Sequence, residues 1–338
     1  MKKSLVALAV LGGFAGMAAA QSSVTLFGVV DVAATYVKND DAKQKKLTSG
    51  GNSTSRLGFR GVEDLGGGLK ASFWLESHIN VDDGTQNSSG KFWHRRSTVS
   101  LSGGFGEVRL GRDLLPTWTA FADYDPFGTV GVGDKGRLFN VYGGAATKNR
   151  ADNIIAYFLP STLGGIYGQL SVAAGEGNDA NKYVGGRLGY KAGPFDVTAA
   201  YGQTELPADD YQVAVISGSY DFGMAKLMLS YQQTDYLSNK DKFLGVGVTA
   251  PVGPGTLKLA YNRTDGEANG AHGDADQFAI GYVYDLSKRT AIYSTLAYIK
   301  NKSGASRAGN YSVSDIAGRP MTAGEKSTGF DLGIRHSF

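Results

Sequence analysis

The sequence predicts an all-β fold, a 16-stranded antiparallel transmembrane β-barrel, and three observations carry that expectation. The last nine residues, Phe330 to Phe338, alternate large with small or polar side chains and end on an aromatic. The first twenty have the make-up of an export leader. Between them, segments of about ten residues with period-two alternation are separated by connections that are alternately short and long.

In the terminal segment Phe330, Leu332, Ile334, His336 and Phe338 share one face, and Asp331, Gly333, Arg335 and Ser337 share the other. One face suits lipid and the other water. A terminal strand leaves an open edge, and its expected partner is the first strand, which closes a barrel. At the other end Met1-Lys2-Lys3 is basic, Leu5 to Ala15 is apolar, and Ala18-Ala19-Ala20 precedes Gln21. That is the pattern of a cleaved secretory signal peptide. Residues 1–20 are therefore expected to be the leader and 21–338 a single barrel domain. A membrane-anchoring helix would need an apolar run about twice as long.

Without Lys2 and Lys3 the balance falls from 34 basic against 31 acidic residues to 32 against 31. Near neutrality gives no reason to expect nucleic acid as a partner, so any selectivity must come from where charges sit. The 49 glycines lack the three-residue period of collagen. Cysteine is absent, which removes disulfides and thiolate metal sites. No second apolar stretch is long enough for a membrane helix, but an exported chain can still span a bilayer if a barrel satisfies its backbone.

Sixteen alternating segments are legible, at about 24–36, 55–63, 69–80, 91–102, 107–113, 150–159, 166–174, 182–192, 195–203, 211–220, 224–234, 242–251, 256–264, 275–286, 290–300 and 328–338. Short Gly- and Asp-rich turns such as Gly193-Pro194 and Gly253-Pro254-Gly255 alternate with long connections at 37–54, 81–90, 114–149, 175–181, 265–274 and 301–327. Short turns on one rim and long loops on the other is the asymmetry of an outer-membrane barrel. In 225–231 the row Ala225, Leu227, Leu229, Tyr231 opposes Lys226, Met228, Ser230. A soluble β-sandwich alternates in the same way; the leader, the even strand count and the loop asymmetry favour the barrel. Tyr36, Tyr231, Tyr261, Tyr298 and Phe338 near segment ends fit aromatic girdles.

Five stretches make the pattern specific: Ser23 to Asp31 (SVTLFGVVD), Ser55 to Gly66 (SRLGFRGVEDLG), Val108 to Arg112 (VRLGR), Asp152 to Tyr157 (DNIIAY) and Gly333 to Phe338 (GIRHSF). In identity and order they resemble the trimeric general diffusion porins of the Gram-negative outer membrane, in particular the beta-proteobacterial and neisserial branch. The resemblance spans essentially the whole chain after the leader and weakens in the loops. It implies a third extracellular loop folded into the lumen as a constriction, a homotrimer, and passive diffusion of ions and small hydrophilic solutes, with no enzymatic activity and no cofactor. The implied partners are outer-membrane lipids and lipopolysaccharide, together with the outer-membrane insertion machinery. Phe338, Ile334 and Leu332 resemble the assembly signal which that machinery reads.

The residues themselves supply a constriction. The connection 114–149 is by far the longest and carries Trp118, Phe121, Tyr124, Phe127, Phe139 and Tyr142, so packing on an inner wall is expected rather than a lid outside. Asp125-Pro126-Phe127-Gly128 resembles the acidic turn at the tip of the family's inward loop, with its first two residues reversed. Asp123, Asp125 and Asp134 are then expected to face the pore. Parity places Arg56, Arg60, Arg96, Arg109 and Arg150 on the opposite wall, with Glu76 among them and Arg95 pointing outward. Arg56, Arg96 and Arg150 are expected at a common height. Such charges set a transverse field that ordered water tolerates and apolar solutes do not, and the excess of arginines predicts a mild preference for anions.

Other motifs are weaker. Gly131 to Gly136 fits G-x-G-x-x-G but neither follows a strand nor opens a helix. His78, His94, His272 and His336 show no metal-ligand spacing. Asp82-Asp83 and Asp209-Asp210 read as solvated loop acids, so an outer-membrane hydrolase ranks below a substrate-specific channel, which itself ranks below a general one.

Overall fold

The computed structural model describes residues 23–88, 90–175, 181–268, 271–302 and 311–338; the expected leader lies outside the described residues. In chain order the strands are β1 (Ser23–Asn39), β2 (Ala42–Ser49), β3 (Arg56–Gly66), β4 (Leu69–His78), β5 (Arg96–Gly103), β6 (Gly106–Leu114), β7 (Arg150–Phe158), β8 (Ile166–Ala173) and β9 (Tyr183–Ala192). They continue as β10 (Phe195–Thr204), β11 (Tyr211–Asp221), β12 (Lys226–Tyr236), β13 (Asn239–Val252), β14 (Gly255–Ala268), β15 (Ala271–His272), β16 (Ala275–Asp285), β17 (Thr290–Asn301) and β18 (Lys326–Ser337). They form one antiparallel sheet that closes through β1 and β18. β2 and β3 pair with successive parts of β1 and share one stave, and β15 merely lengthens the β14 hairpin. Eighteen strands thus make sixteen staves.

The alternation sorts residues by solvent. Val99, Leu101, Val108, Leu110, Ile155, Leu229 and Tyr231 stand on the outer surface, whereas Thr98, Ser100, Ala156, Met228 and Ser230 are buried inside. The outer row of β1 holds Gly28, Val30, Val32 and Ala34, smaller side chains than most of the barrel carries. Exposed Phe105, Tyr190, Phe195, Tyr220, Phe222 and Tyr284 gather at the short-turn rim, where amphipathic rings mark a membrane boundary. No described helix is long and apolar enough to cross a membrane.

The seam is sealed by reciprocal 3.1 Å hydrogen bonds between Gly28 and Phe338. The Phe338 ring lies over Gly28, where a Cβ would come within 2.3 Å of it. Inside the seam Asp31 is fully buried. It accepts hydrogen bonds from the backbone of Asn52 and Ser53 and from the Tyr293 hydroxyl.

Two segment expectations are corrected. The stretch 37–54 is no open loop: β1 runs on to Asn39, turns at Asp40 with φ 54°, and β2 returns along it from Asn39↔Ala42 to Val32↔Ser49. The polarity of Lys43-Gln44-Lys45-Lys46 signals solvent, and a hairpin standing above the bilayer meets solvent as a loop does. Conversely, the strand expected from residue 91 begins at Arg96. Residues 91–95 belong to the loop before it, so parity cannot be carried back to Arg95.

Candidate pore constriction

The connection between β6 and β7 folds into the barrel. It opens with α1 (Pro116–Ala122), whose proline occupies the first turn, where no backbone donor is needed. Phe121 is fully buried and meets Phe139 and, on β13, Phe243 at 5.5 and 5.1 Å between ring centroids. Beyond it the inner wall makes room by omitting side chains. Cβ atoms added at Gly247 of β13, Gly281 of β16 and Gly329 of β18 would lie 2.4 Å from Pro126, 2.9 Å from Phe127 and 2.6 Å from Val132. Gly131 has φ 66° and would place a Cβ 2.1 Å from the Gly51 carbonyl oxygen, so only glycine fits there.

Polar contacts pin the same loop. The Lys135 ammonium donates to the Tyr124 carbonyl and to Ser230 Oγ of β12, both at 3.0 Å, and sits 4.3 Å from the Phe121 ring centroid. Burial pulls its pKa down to about 8 against the opposing pull of Asp125 and Asp134. Asp331 of β18 accepts from Val132 N at 3.0 Å.

Between this loop and the wall of β2, β4, β6 and β7 lies a polar cavity of about 870 Å³. The loop side presents Asp123, Asp134 and the backbone of 128–132; the wall side presents Lys46, His78, His94, Arg95, Arg112 and Arg150. Asp123 pairs with Arg187 at 3.1 Å, and Asp134 accepts from Gly136 N at 2.6 Å. Burial, then the neighbouring Asp125, pushes the Asp134 pKa up.

The expected site residues fall into three groups. Arg150, Asp123 and Asp134 line the cavity. Arg56 and Glu76 stand just behind it, with Arg56 Nε 3.9 Å from Glu76 Oε1. Arg60, Arg96 and Arg109 face the lumen nearer the short-turn rim. Arg60 and Arg96 lie against Trp74, at 5.2 and 4.6 Å from its ring centroid. Arg109 is held by Asp113 and Glu107 at 2.6 and 2.8 Å.

The structure departs from expectation in two places. Asp125 does not face the pore. It is buried, its carboxylate accepting Phe127 N at 3.1 Å and Thr129 N at 2.8 Å, and it builds the turn instead of charging the channel. The tip motif therefore marks a fold, and its acid is spent on backbone donors. The second departure exchanges neighbours. Arg56 pairs across the ladder with His78, whereas Arg96 pairs with Glu76, two residues lower. Arg95 takes the place expected of Arg96: its Nε reaches Glu76 Oε1 at 2.5 Å, and Arg150 Nε donates to the Arg95 carbonyl at 2.6 Å. Arg56, Arg95 and Arg150 are the cluster at one level.

Sequence reasoning also missed Lys46, Arg112 and Arg137 as cavity residues. Lys46 was hidden by reading 37–54 as loop. Arg112 lies opposite a bulge in β7: between the pairs Gly111↔Ile154 and Asp113↔Ala151 that strand carries one residue more than β6, and its Asn153 has φ 56°. An asparagine inside a strand, a residue type that tolerates the left-handed region, was the available signal for that bulge. Away from the cavity, Asp265, His272 and Asp274 bring ligand atoms within 4.8 Å of one another on the connection from β14 to β16. Their sequence spacing does not suggest this grouping, because a hairpin creates it.

Residues 7–304 match the family described as Gram-negative porin. Over the full length of both chains the sequence is 44% identical to outer membrane porin protein 32 of Delftia acidovorans and 32% identical to an outer membrane porin protein of Bordetella pertussis. Among solved structures, the anion-selective porin from Comamonas acidovorans superimposes with a TM-score of 0.83 at 40% identity, covering 94% of this chain and 100% of that one.

Proposed function

The chain belongs to the Gram-negative porin family, and on that premise we propose that it works in the outer membrane as a homotrimeric general diffusion channel with a mild preference for anions. That it is a porin of the outer membrane and not an enzyme follows from the family. The anion preference rests on one observation: the cavity between the inward loop and the barrel wall is faced on the wall side by Lys46, Arg95, Arg112 and Arg150. The acids opposite are partly spent, Asp123 on Arg187 and Asp134 on backbone. A relative that superimposes closely is itself called anion-selective. Fixed charges at a narrow, water-filled point select by sign without holding the solute. Residues 1–20 serve as the export leader in this reading, and the small outer row of β1 lies between subunits, where close packing needs it.

Single-channel recording in planar bilayers under a salt gradient tests the proposal. Expected are conductance steps in threes and a reversal potential on the anion side. A cation-side potential would overturn the selectivity, and strictly single steps would overturn the trimer.

The terminal strand carries a second expectation. Deleting Phe338 removes a seam hydrogen-bond pair and the ring over Gly28. Heat-modifiable trimer recovered from outer membranes should fall several-fold, while trimers that do form keep their conductance. Undiminished trimer with the truncated chain would rule out Phe338 as part of an assembly signal.

A further inference from the structure

His78 closes β4 and His94 lies in the loop before β5, and their rings stack at 6.0 Å between centroids, 25° from parallel. Both line the constriction cavity. His78 Nε2 and His94 Nδ1 are sealed within protein yet have no hydrogen-bond partner, an arrangement that costs free energy unless something else uses it. We propose that this pair is a proton-dependent selectivity element: imidazoles that are neutral at neutral pH become charged on acidification and add to the arginine wall. The proposal rests on the porin reading and deepens it, because it assigns two residues as determinants of which ions pass.

The surroundings define how the pair responds. Arg56 from β3, Glu76 from β4, Arg95 from the loop, Arg112 from β6 and Arg150 from β7 are the charged groups packed around it. Asp82, Asp123, Asp134, Asp331, Lys46 and Arg137 line the same cavity. Burial, then Arg150 and Arg95, holds the His94 imidazole below its ordinary value. Protonation is therefore confined to the acid side of the usual histidine range. Each proton taken up there raises the positive charge of the cavity lining.

The cavity acids also titrate on acidification, so the pair must be read by difference. Reversal potentials of the parent trimer and of the His78→Gln/His94→Gln trimer are measured at about pH 7.5 and about pH 4 in the same salt gradient, the lower value lying well to the acid side of the ordinary histidine range. The anion-to-cation permeability ratio of the parent should rise about twofold more than that of the double variant. His94→Gln alone, a loop substitution that leaves β4 intact, should remove part of that excess and keeps the test open if the double variant does not assemble. Equal increments in parent and variants would overturn the proposal while leaving the channel reading intact. A parent that forms no channels at pH 7.5 would overturn the reading beneath both.

Discussion

Replacing Arg95 by Gln is expected to lower anion preference as much as replacing Arg150, and Arg96→Gln is expected to change it far less. Arg95 and Arg150 line the cavity, whereas the Arg96 guanidinium lies against Trp74 and 3.7 Å from Asp113. A unit charge about 5 Å from the ion path is worth roughly 0.8 kcal/mol in water, so losing one should shift the partitioning of each ion about fourfold, anions down and cations up, and cut the permeability ratio up to about sixteenfold at low salt. Raising the salt to about 1 M shrinks the screening length to about 3 Å and should erase most of the difference. Reversal potentials of the three variants over a salt series check this. If Arg96→Gln matches Arg95→Gln, the level assigned to the arginine cluster is wrong.

The second large effect concerns the inward loop. Phe121→Ala empties a fully buried site between Phe139, Phe243 and the Lys135 ammonium. Such a truncation costs about 3–5 kcal/mol. Since every 1.4 kcal/mol is tenfold, the population with the loop detached should rise roughly a hundredfold or more. Gly247→Val attacks the same contact from the wall, because its side chain must occupy the space of Pro126. Both variants should show larger, noisier conductance and faster proteolytic cleavage within 115–149, with the trimer's heat resistance little changed. Quiet channels of parental conductance in both variants would mean that the loop is held elsewhere.

The staves were legible in the sequence because a barrel in lipid enforces the two-residue period on every strand, and Leu227, Leu229 and Tyr231 can only face outward if Met228 and Ser230 face in. Facing was equally legible for Arg56, Arg60, Arg96, Arg109 and Glu76, which lie within strands. It failed where the period stops. Arg95 lies one residue before β5, Arg112 lies opposite the bulge in β7, and Lys46 sits on a hairpin whose polarity reads as loop. Asp125 failed for another reason: an aspartate that opens a turn can serve backbone donors or solvent, and one-dimensional pattern does not say which. The wall glycines at 247, 281 and 329 were invisible as a set because they belong to three separate strands and share only the loop they seat.

The seam between β1 and β18 also sets a schedule. Asp31 pairs with Arg335 and Gly28 with Phe338, so the first stave is matched with one that lies about 300 residues further along the chain. The cylinder cannot close before β18 has been made, and contacts so distant in sequence are slow to form. The nascent chain must therefore travel with its lipid-facing rows unsatisfied, open to aggregation until both ends meet. A polypeptide without cysteine cannot be trapped by wrong disulfides during that transit. Delay is thus built into the topology, and the composition suits a protein that folds only on arrival.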